Sequence, residues 1–530
     1  MPETTPDTVD FIVVGAGSAG AALAARLSER SGTSVAVLEA GSADKDKFIR
    51  IPVGFSKLFQ GPNDWKYFTE PQPRLSGRRV YWPRGKMLGG SSNMNAMMWV
   101  RGFAADYDEW AEHGGPGWSF QEVLPYFRRM EQVEGATGTG EGSEGPLHIS
   151  KQRSPRALTR DFLQAASEAG HPIERANTNQ PQGFSETMVT QKRGARWGTA
   201  DAYLRPALQR HRDLEVMTDA QVTRVLFDGK RAVGVEYRRG AQLHRLHARR
   251  EVILSGGAVN SPALLMLSGV GNAEQLSALG IPVVHHSPEV GRNLRDHLAA
   301  PIVYRTRGGS LFTAERSTEL VNYLLRRRGM LTSNVGEAYG FIRSREDLEL
   351  PDLELIFGPA PYIGEGLVEA DGHAITLAAI LLRPASTGSV ALSSADPFAA
   401  PLIDPHYCTD PEGRDRAALL AGLRACVDLA HMPALEEHIG DLMQPAVPAD
   451  TPMDEILRRC LEDHSHTLYH PMGTCRMSAD DTGVVDPELR VRGLHNLRVA
   501  DTSVMPISLR GHTHAPAVLI GEKAADLIAS

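Results

Sequence analysis

Apolar residues fall along this chain in two rhythms, short unbroken runs and helical stripes, and their alternation predicts an α/β fold. Phe11-Ile12-Val13-Val14 is an apolar run of strand length, the mark of a strand buried on both faces. Residues 21–27 are rich in alanine and leucine and read as a helix. Residues 35–38 form a second apolar strand. Residues 214–222, 232–237 and 251–254 read as further strands, joined by turns at Asp228-Gly229 and Arg239-Gly240. Residues 252–270 are uncharged and imitate a membrane span. Gly256, Gly257, Asn260, Ser261, Pro262 and Gly269 interrupt them, which suits a strand–turn–helix in a core.

Farther on, Pro52, Gly54, Gly61 and Pro62 mark loops, and residues 81–96 concentrate small residues where a backbone must approach something closely. Residues 134–146, rich in Gly and Glu, are expected to be an exposed excursion. The character changes near residue 299. Residues 304–328 read as loop and then a basic helix, 352–357 and 373–382 as strands, and 414–432 as an amphipathic helix. Near the end, 497–501 reads as a strand closing on Asp501, and 515–528 as a final helix.

The turn after the first strand carries candidate chemistry. Gly15, Gly17 and Gly20 have G-x-G-x-x-G spacing between a predicted strand and a predicted helix. Gly15 makes the tight turn, Gly17 lets a pyrophosphate approach the backbone, and Gly20 lets helix and strand pack closely. The helix N-terminus offers free N–H groups to the phosphates. Glu39, at the end of the second strand, can accept from a ribose 2′-hydroxyl and would repel a 2′-phosphate. A second copy of the spacing, Gly140, Gly142 and Gly145, follows no strand, opens no helix and carries Glu141 and Glu144, so it reads as a loop.

With 530 residues the chain exceeds one core, and its 42% hydrophobic and 23% charged content is that of a soluble enzyme. A net charge of −8 argues against nucleic acid or an anionic membrane as the main partner. Cys408, Cys426, Cys460 and Cys475 lack C-x-x-C spacing, so a disulfide framework is not expected and a cytoplasmic setting fits best. Residues 1–10 show no basic or apolar leader pattern.

Histidines concentrate in two late stretches, His464, His466 and His470 in one and His512 and His514 in the other. As metal ligands, His464, His466 and Cys475 match no helix-borne or finger spacing, and no metal is expected. Buried histidines bonding backbone is the reading for His464 and His466. General acid/base work is the third reading, since imidazole titrates near neutral pH and can take a proton from an alcohol.

Six ordered motifs carry a resemblance that runs nearly end to end. They are GAGSAG with LEAG, GKMLGGSSNMNAMMWVRG over 85–102, GGAVNSPALLMLSGVG over 256–271, VGRNLRDH over 290–297, RPASTGSVAL over 383–392, and YHPMGTCRM over 469–477 with VADTSVMP over 499–506. In these the chain resembles the glucose–methanol–choline (GMC) oxidoreductases, FAD-dependent enzymes of alcohol oxidation, and within them the choline-dehydrogenase-like branch. The resemblance implies a Rossmann-like FAD-binding domain and a second, substrate domain built on an antiparallel sheet with helices. The FAD domain is expected over 1–155, 201–298 and 463–530, and the substrate domain over 156–200 and 299–462.

For matched positions it implies that Gly15, Ala16, Gly17, Ser18, Ala19, Gly20, Glu39 and Ala40 hold the ADP half of FAD. Gly85, Gly90, Asn93, Met94, Asn95 and Ala96 would lie toward the flavin, together with Trp65, and Val222 would meet adenine through its backbone. Ala500, Asp501 and Thr513 would complete the cofactor site. His470 matches the catalytic histidine and His512 the second active-site position, held by His in some members and Asn in others. Where some members attach FAD through a histidine, Met94 stands here, so FAD should be non-covalent. The reaction implied is oxidation of a small-molecule alcohol, most readily a primary alcohol to its aldehyde, with a histidine base, hydride passing to flavin N5 and electrons to oxygen or another acceptor. The same fold also carries non-redox chemistry such as hydroxynitrile lyase activity, which two histidines could equally serve. Trp197, Tyr339 and Glu337 could form an aromatic box for choline, but packing is the reading their positions favour.

Overall fold

The computed structural model describes residues 8–136 and 140–529. Residues 1–7, most of the stretch read above for a leader, and residues 137–139 lie outside the described residues.

The N-terminal apolar runs nucleate a seven-stranded sheet. Its order is Leu214–Met217, Val35–Leu38, Thr8–Val14, Gln242–Leu254, Arg231–Arg239 and Ala220–Asp228, with Leu497–Val499 also paired to Gln242–Leu254. The strands from Leu214–Met217 to Gln242–Leu254 run parallel, as does Leu497–Val499; the other two continue antiparallel. Register sets Val14 beside Leu38 and Leu254, and Leu254 beside Val499. Four strands therefore stop at one level, and the turns that follow them, at Gly15, Glu39, Ser255 and Asp501, gather on one carboxyl edge. An open α/β sheet binds its ligands on that edge. The helices Ser18–Ser28 and His514–Ala529 pack together so closely that a Cβ on Gly521 would fall 2.3 Å from the Ala19 carbonyl oxygen. The apolar stretch 252–270 folds as a strand end and the helix Gly257–Leu267. Among the described residues no helix is long and apolar enough to cross a membrane.

A second, antiparallel sheet runs Ile439–Gln444, Leu298–Thr306, Ala374–Leu381, Leu353–Gly358, Ala338–Ile342 and Phe184–Glu186, with His466–Thr467 also paired to Leu298–Thr306. Its strands alternate with period two. Ala300, Ile302, Leu353, Leu355, Phe357, Ile375 and Leu377 face a core shared with the helices Ala157–Glu168, Arg414–Ala430 and Met453–His464. Ala299, Pro301, Ile356, Gly358, Thr376 and Ala378 face the opposite way, onto a cavity that also meets the carboxyl edge of the first sheet.

Two expectations are corrected. The first residues of 304–328 are strand, which ends at Thr306 well before the helix Ser317–Arg326. The excursion expected over 134–146 is exposed only in part: Glu134, Gly135, Ser143 and Glu144 are exposed, whereas Gly140 and Gly142 are buried. Buried Arg101 and Glu131 form an ion pair, Arg101 Nη1 also donates to the Gly140 carbonyl at 3.0 Å, and a Cβ on Gly142 would fall 2.2 Å from the Arg128 carbonyl. A buried guanidinium needs every N–H met, and the loop is drawn in to supply an acceptor.

Candidate active site

The three glycines of the first turn have separable duties. Gly15 takes φ +103°, and a Cβ there would lie 2.5 Å from the Ser255 carbonyl oxygen; a Cβ on Gly20 would lie 2.0 Å from the Gly15 oxygen. Both are packing requirements. Gly17 differs, because an added Cβ would meet nothing among the described residues closer than Gly90 Cα at 4.0 Å. Its hydrogen opens into the cavity. The helix Ser18–Ser28 starts there with no side-chain cap and no acidic residue in its first turn, so its free N–H groups remain for a ligand.

Around this turn the cavity has a volume of about 580 Å³. Of the residues expected from sequence, Gly15, Gly17, Ser18, Ala19, Glu39, Ala40, Trp65, Gly85, Gly90, Met94, Asn95, Ala96, Val222, Asp501, Thr513, His470 and His512 line it. Ala16, Gly20, Asn93 and Ala500 stand behind the wall. Ala16 N donates to Glu39 Oε2 at 3.0 Å, and Ala500 O accepts from Ser255 Oγ at 2.9 Å. Asn93 was expected toward the flavin; its amide instead donates to Asp44 at 3.1 Å and to the Leu88 carbonyl at 2.8 Å, bracing the Gly89-Gly90 turn from behind. Burial pushes the Glu39 carboxyl up to about 7, and raises that of Asp501, which accepts from Gly257 N and Ser261 Oγ at 2.9 and 2.6 Å.

At the antiparallel-sheet end two imidazoles meet. The rings of His470 and His512 lie 4.7 Å apart between centroids. His512 Nε2 is 3.0 Å from a carboxylate oxygen of the fully buried Glu354. His470 Nδ1 lies 3.0 Å from Nδ1 of His297, and its backbone N–H donates to Asp296 at 2.9 Å. Burial, reinforced by the neighbouring His512, His297 and Arg84, holds His470 well below the usual histidine range, and burial takes His297 down to about 3. His470 and His297 are thus neutral near pH 7. His464 closes the helix Met453–His464; His466 reaches the cavity wall, with Nδ1 2.8 Å from the Thr467 carbonyl.

Sequence reasoning missed Glu354, His297 and the pair Tyr362–Tyr469, whose hydroxyls are 3.1 Å apart on the cavity wall. The signal for Glu354 was present: it is the one charge in the apolar strand Leu353–Gly358, on the face opposite Leu353, Leu355 and Phe357. Trp197, Tyr339 and Glu337 form no box and none lines the cavity. The Glu337 carboxylate is consumed by Ser333, Thr159 and the Arg156 N–H at 2.6, 2.6 and 2.7 Å.

The GMC oxidoreductase pattern matches residues 9–299 and 384–521. This chain is a GMC oxidoreductase. It is 40% identical to an alcohol dehydrogenase [acceptor] of Pseudomonas putida, over 98% of this chain and 95% of that one. It is 41% identical to the mitochondrial choline dehydrogenase of Mus musculus, over 98% and 89%. A variant formate oxidase of Aspergillus oryzae, solved for the effect of its mutation on FAD modification, superposes with a TM-score of 0.91 at 29% identity, over 99% of this chain and 98% of that one.

The cofactor of this GMC oxidoreductase is FAD. The cradle suits it on grounds of its own. Gly17 and the uncapped helix start leave room and N–H donors for a pyrophosphate. His514, on the same wall, has its Nδ1 2.9 Å from Ser18 Oγ and its buried Nε2 without a partner among the described residues, a polar atom that a bound group can satisfy.

Proposed function

We propose that this enzyme oxidises a neutral, largely apolar primary alcohol to its aldehyde, with His470 as the base that takes the hydroxyl proton. The observation that carries the reading is the state of His470: a neutral buried imidazole on the cavity wall, with one nitrogen occupied and the other open. Bound FAD supplies the acceptor for the hydride that leaves the alcohol carbon. We assign the His297 proton to Nε2, the nitrogen turned away from His470, because Nδ1 is the one that meets His470. His297 Nδ1 is then an acceptor, His470 donates from Nδ1, and the His470 Nε2 lone pair is left for the substrate hydroxyl. His512, oriented by Glu354, is placed to hydrogen-bond the same oxygen. The proton ends on His470, where imidazolium charge balances the negative charge delivered to the cofactor pocket.

Substrate class follows from the wall. Met98, Ala299, Pro301, Val335, Ile356, Ala378 and Leu468 line this end of the cavity, and its lining carboxylates, Glu39 and Asp501, belong to the dinucleotide end. Glu365, behind Tyr469, is pushed up to about 8 by burial and is uncharged near pH 7. A quaternary ammonium such as choline therefore meets aromatic rings with no carboxylate on the wall itself, Glu354 being set behind His512, which favours a neutral alcohol over the substrate named for the choline dehydrogenases. The test is anaerobic flavin bleaching by a panel of alcohols with the wild type and His470→Ala. We expect straight-chain or aromatic primary alcohols to bleach the wild type and the variant to keep its FAD but lose the reaction. Near-wild-type bleaching by the variant would remove His470 as base; bleaching by choline in preference to neutral alcohols would remove the substrate assignment.

A further inference from the structure

The helix Ser317–Arg326 turns its apolar face away from the protein. At 3.6 residues per turn Leu320, Leu324, Val321 and Leu325 share an arc of about 140°, and they are 44, 60, 54 and 79% exposed. The one buried residue of the helix is Tyr323. Its hydroxyl donates to the Arg50 carbonyl at 3.2 Å, and with Ala314 and Leu331 it packs against Ile51 and Val53. That anchors the helix beside the short helix Pro52–Leu58, whose Phe55 lines the cavity. A second exposed apolar pair, Leu367 and Val368, follows Gly366, which lies against Ser56 of the same short helix.

Charge frames this face. Arg316 precedes the helix and Arg326, Arg327 and Arg328 end it, against two carboxylates, Glu319, which accepts from Met330 N at 2.8 Å, and Glu315, which pairs with Lys57 at 2.7 Å. Arg316, Arg326 and Arg328 make no ion pair among the described residues. The chain as a whole carries −8, so this is a local reversal of sign. An outward aliphatic stripe bounded by unpaired arginines is the pattern of a helix lying in a lipid interface. A second copy is the poorer occupant, because a two-fold contact through this stripe sets the arginine clusters of both copies near one another.

We propose that this face docks the enzyme on an anionic lipid bilayer, the four aliphatic side chains entering the interfacial layer and the arginines meeting lipid phosphates. Docking brings the Phe55 wall of the cavity toward the bilayer. It stands independently of the identity of the alcohol.

The test is sedimentation of the FAD-loaded full chain with vesicles of phosphatidylcholine alone and of phosphatidylcholine mixed with phosphatidylglycerol. We expect binding to the mixed vesicles, weakened by salt over the range where the Debye length contracts. Leu324→Glu/Leu325→Glu should weaken it at least about tenfold, and Arg326→Glu/Arg328→Glu should reduce it as well, with FAD content and bleaching by a water-soluble alcohol unchanged in both. Failure to bind the mixed vesicles, equal binding to both compositions, or undiminished binding by the Leu324→Glu/Leu325→Glu variant would overturn the proposal. So would a wild-type dimer that this variant dissociates while neither protein binds vesicles, which would assign the face to a second copy.

Discussion

The contact between His297 and His470 makes a prediction with a built-in control. Replacing His297 by Leu removes the acceptor for the His470 Nδ1 proton in a site where His297 is fully buried. A buried donor left unsatisfied costs about 1–3 kcal/mol. His470 avoids that cost by moving its proton to Nε2, which turns the substrate-facing nitrogen from acceptor into donor. At 1.36 kcal/mol per tenfold, the fraction of molecules in the reactive tautomer falls about 5- to 160-fold. His297→Asn is the control, because its Oδ1 can take the place of Nδ1 and accept the same proton. Since the His297 imidazole is held down to about 3, it is neutral at any practical assay pH and the comparison is free of its titration. The assay is anaerobic rapid mixing with saturating alcohol, following loss of the oxidised flavin band, with FAD content checked for each variant. Leu should slow the reaction by the stated factor and Asn should recover most of it. Equal rates for wild type and the Leu variant, or an Asn variant as slow as Leu, would refute the tautomer argument.

Other consequences are open to simple measurement. The base is neutral His470, and its lowered value means that form persists to acid pH and is lost only as pH falls through that value; the acid limb of the flavin-reduction profile should therefore lie below 6.5, the ordinary histidine value, and a limb above it contradicts the burial argument. Gly17→Val should weaken FAD binding at least about tenfold in a fluorescence titration while leaving apoprotein melting unchanged, whereas Gly20→Val, whose Cβ meets the Gly15 oxygen at 2.0 Å, should fail to fold stably. Glu131→Ala leaves the buried Arg101 charge without its carboxylate and the Trp99 indole N–H without its acceptor and should cost about 3–5 kcal/mol in denaturant unfolding, with Arg101→Met/Glu131→Ala recovering much of it. Acid precipitation should leave all flavin in the supernatant, since Met94 offers no covalent attachment where it lines the cavity.

The division between what the chain's pattern disclosed and what it hid follows the range of the interactions. The first turn was legible because each part acts within thirty residues: a parallel strand must be apolar throughout, the turn needs Gly15 at φ +103°, and the strand Val35–Leu38 ends where Glu39 can bond the Ala16 N–H. His470 and His512 were legible as candidates by residue type and motif. Their setting was not, because it is made by partners 173 and 158 residues away, His297 just ahead of the antiparallel strand Leu298–Thr306 and Glu354 within another. No local periodicity encodes which strand lies beside which. The loop 140–146 misled in part for the same reason: Gly and Glu there have the composition of a solvated excursion, and only the distant guanidinium of Arg101 explains why Gly140 and Gly142 are drawn inside. The helix Ser317–Arg326 is the converse case. The sequence there reads only as a basic helix, and the helical spacing of Leu320, Val321, Leu324 and Leu325 does not itself say whether their face turns toward a core. Here Tyr323 alone turns inward, so the stripe's direction is fixed by one aromatic anchor, and the leucines are left for a surface outside the chain.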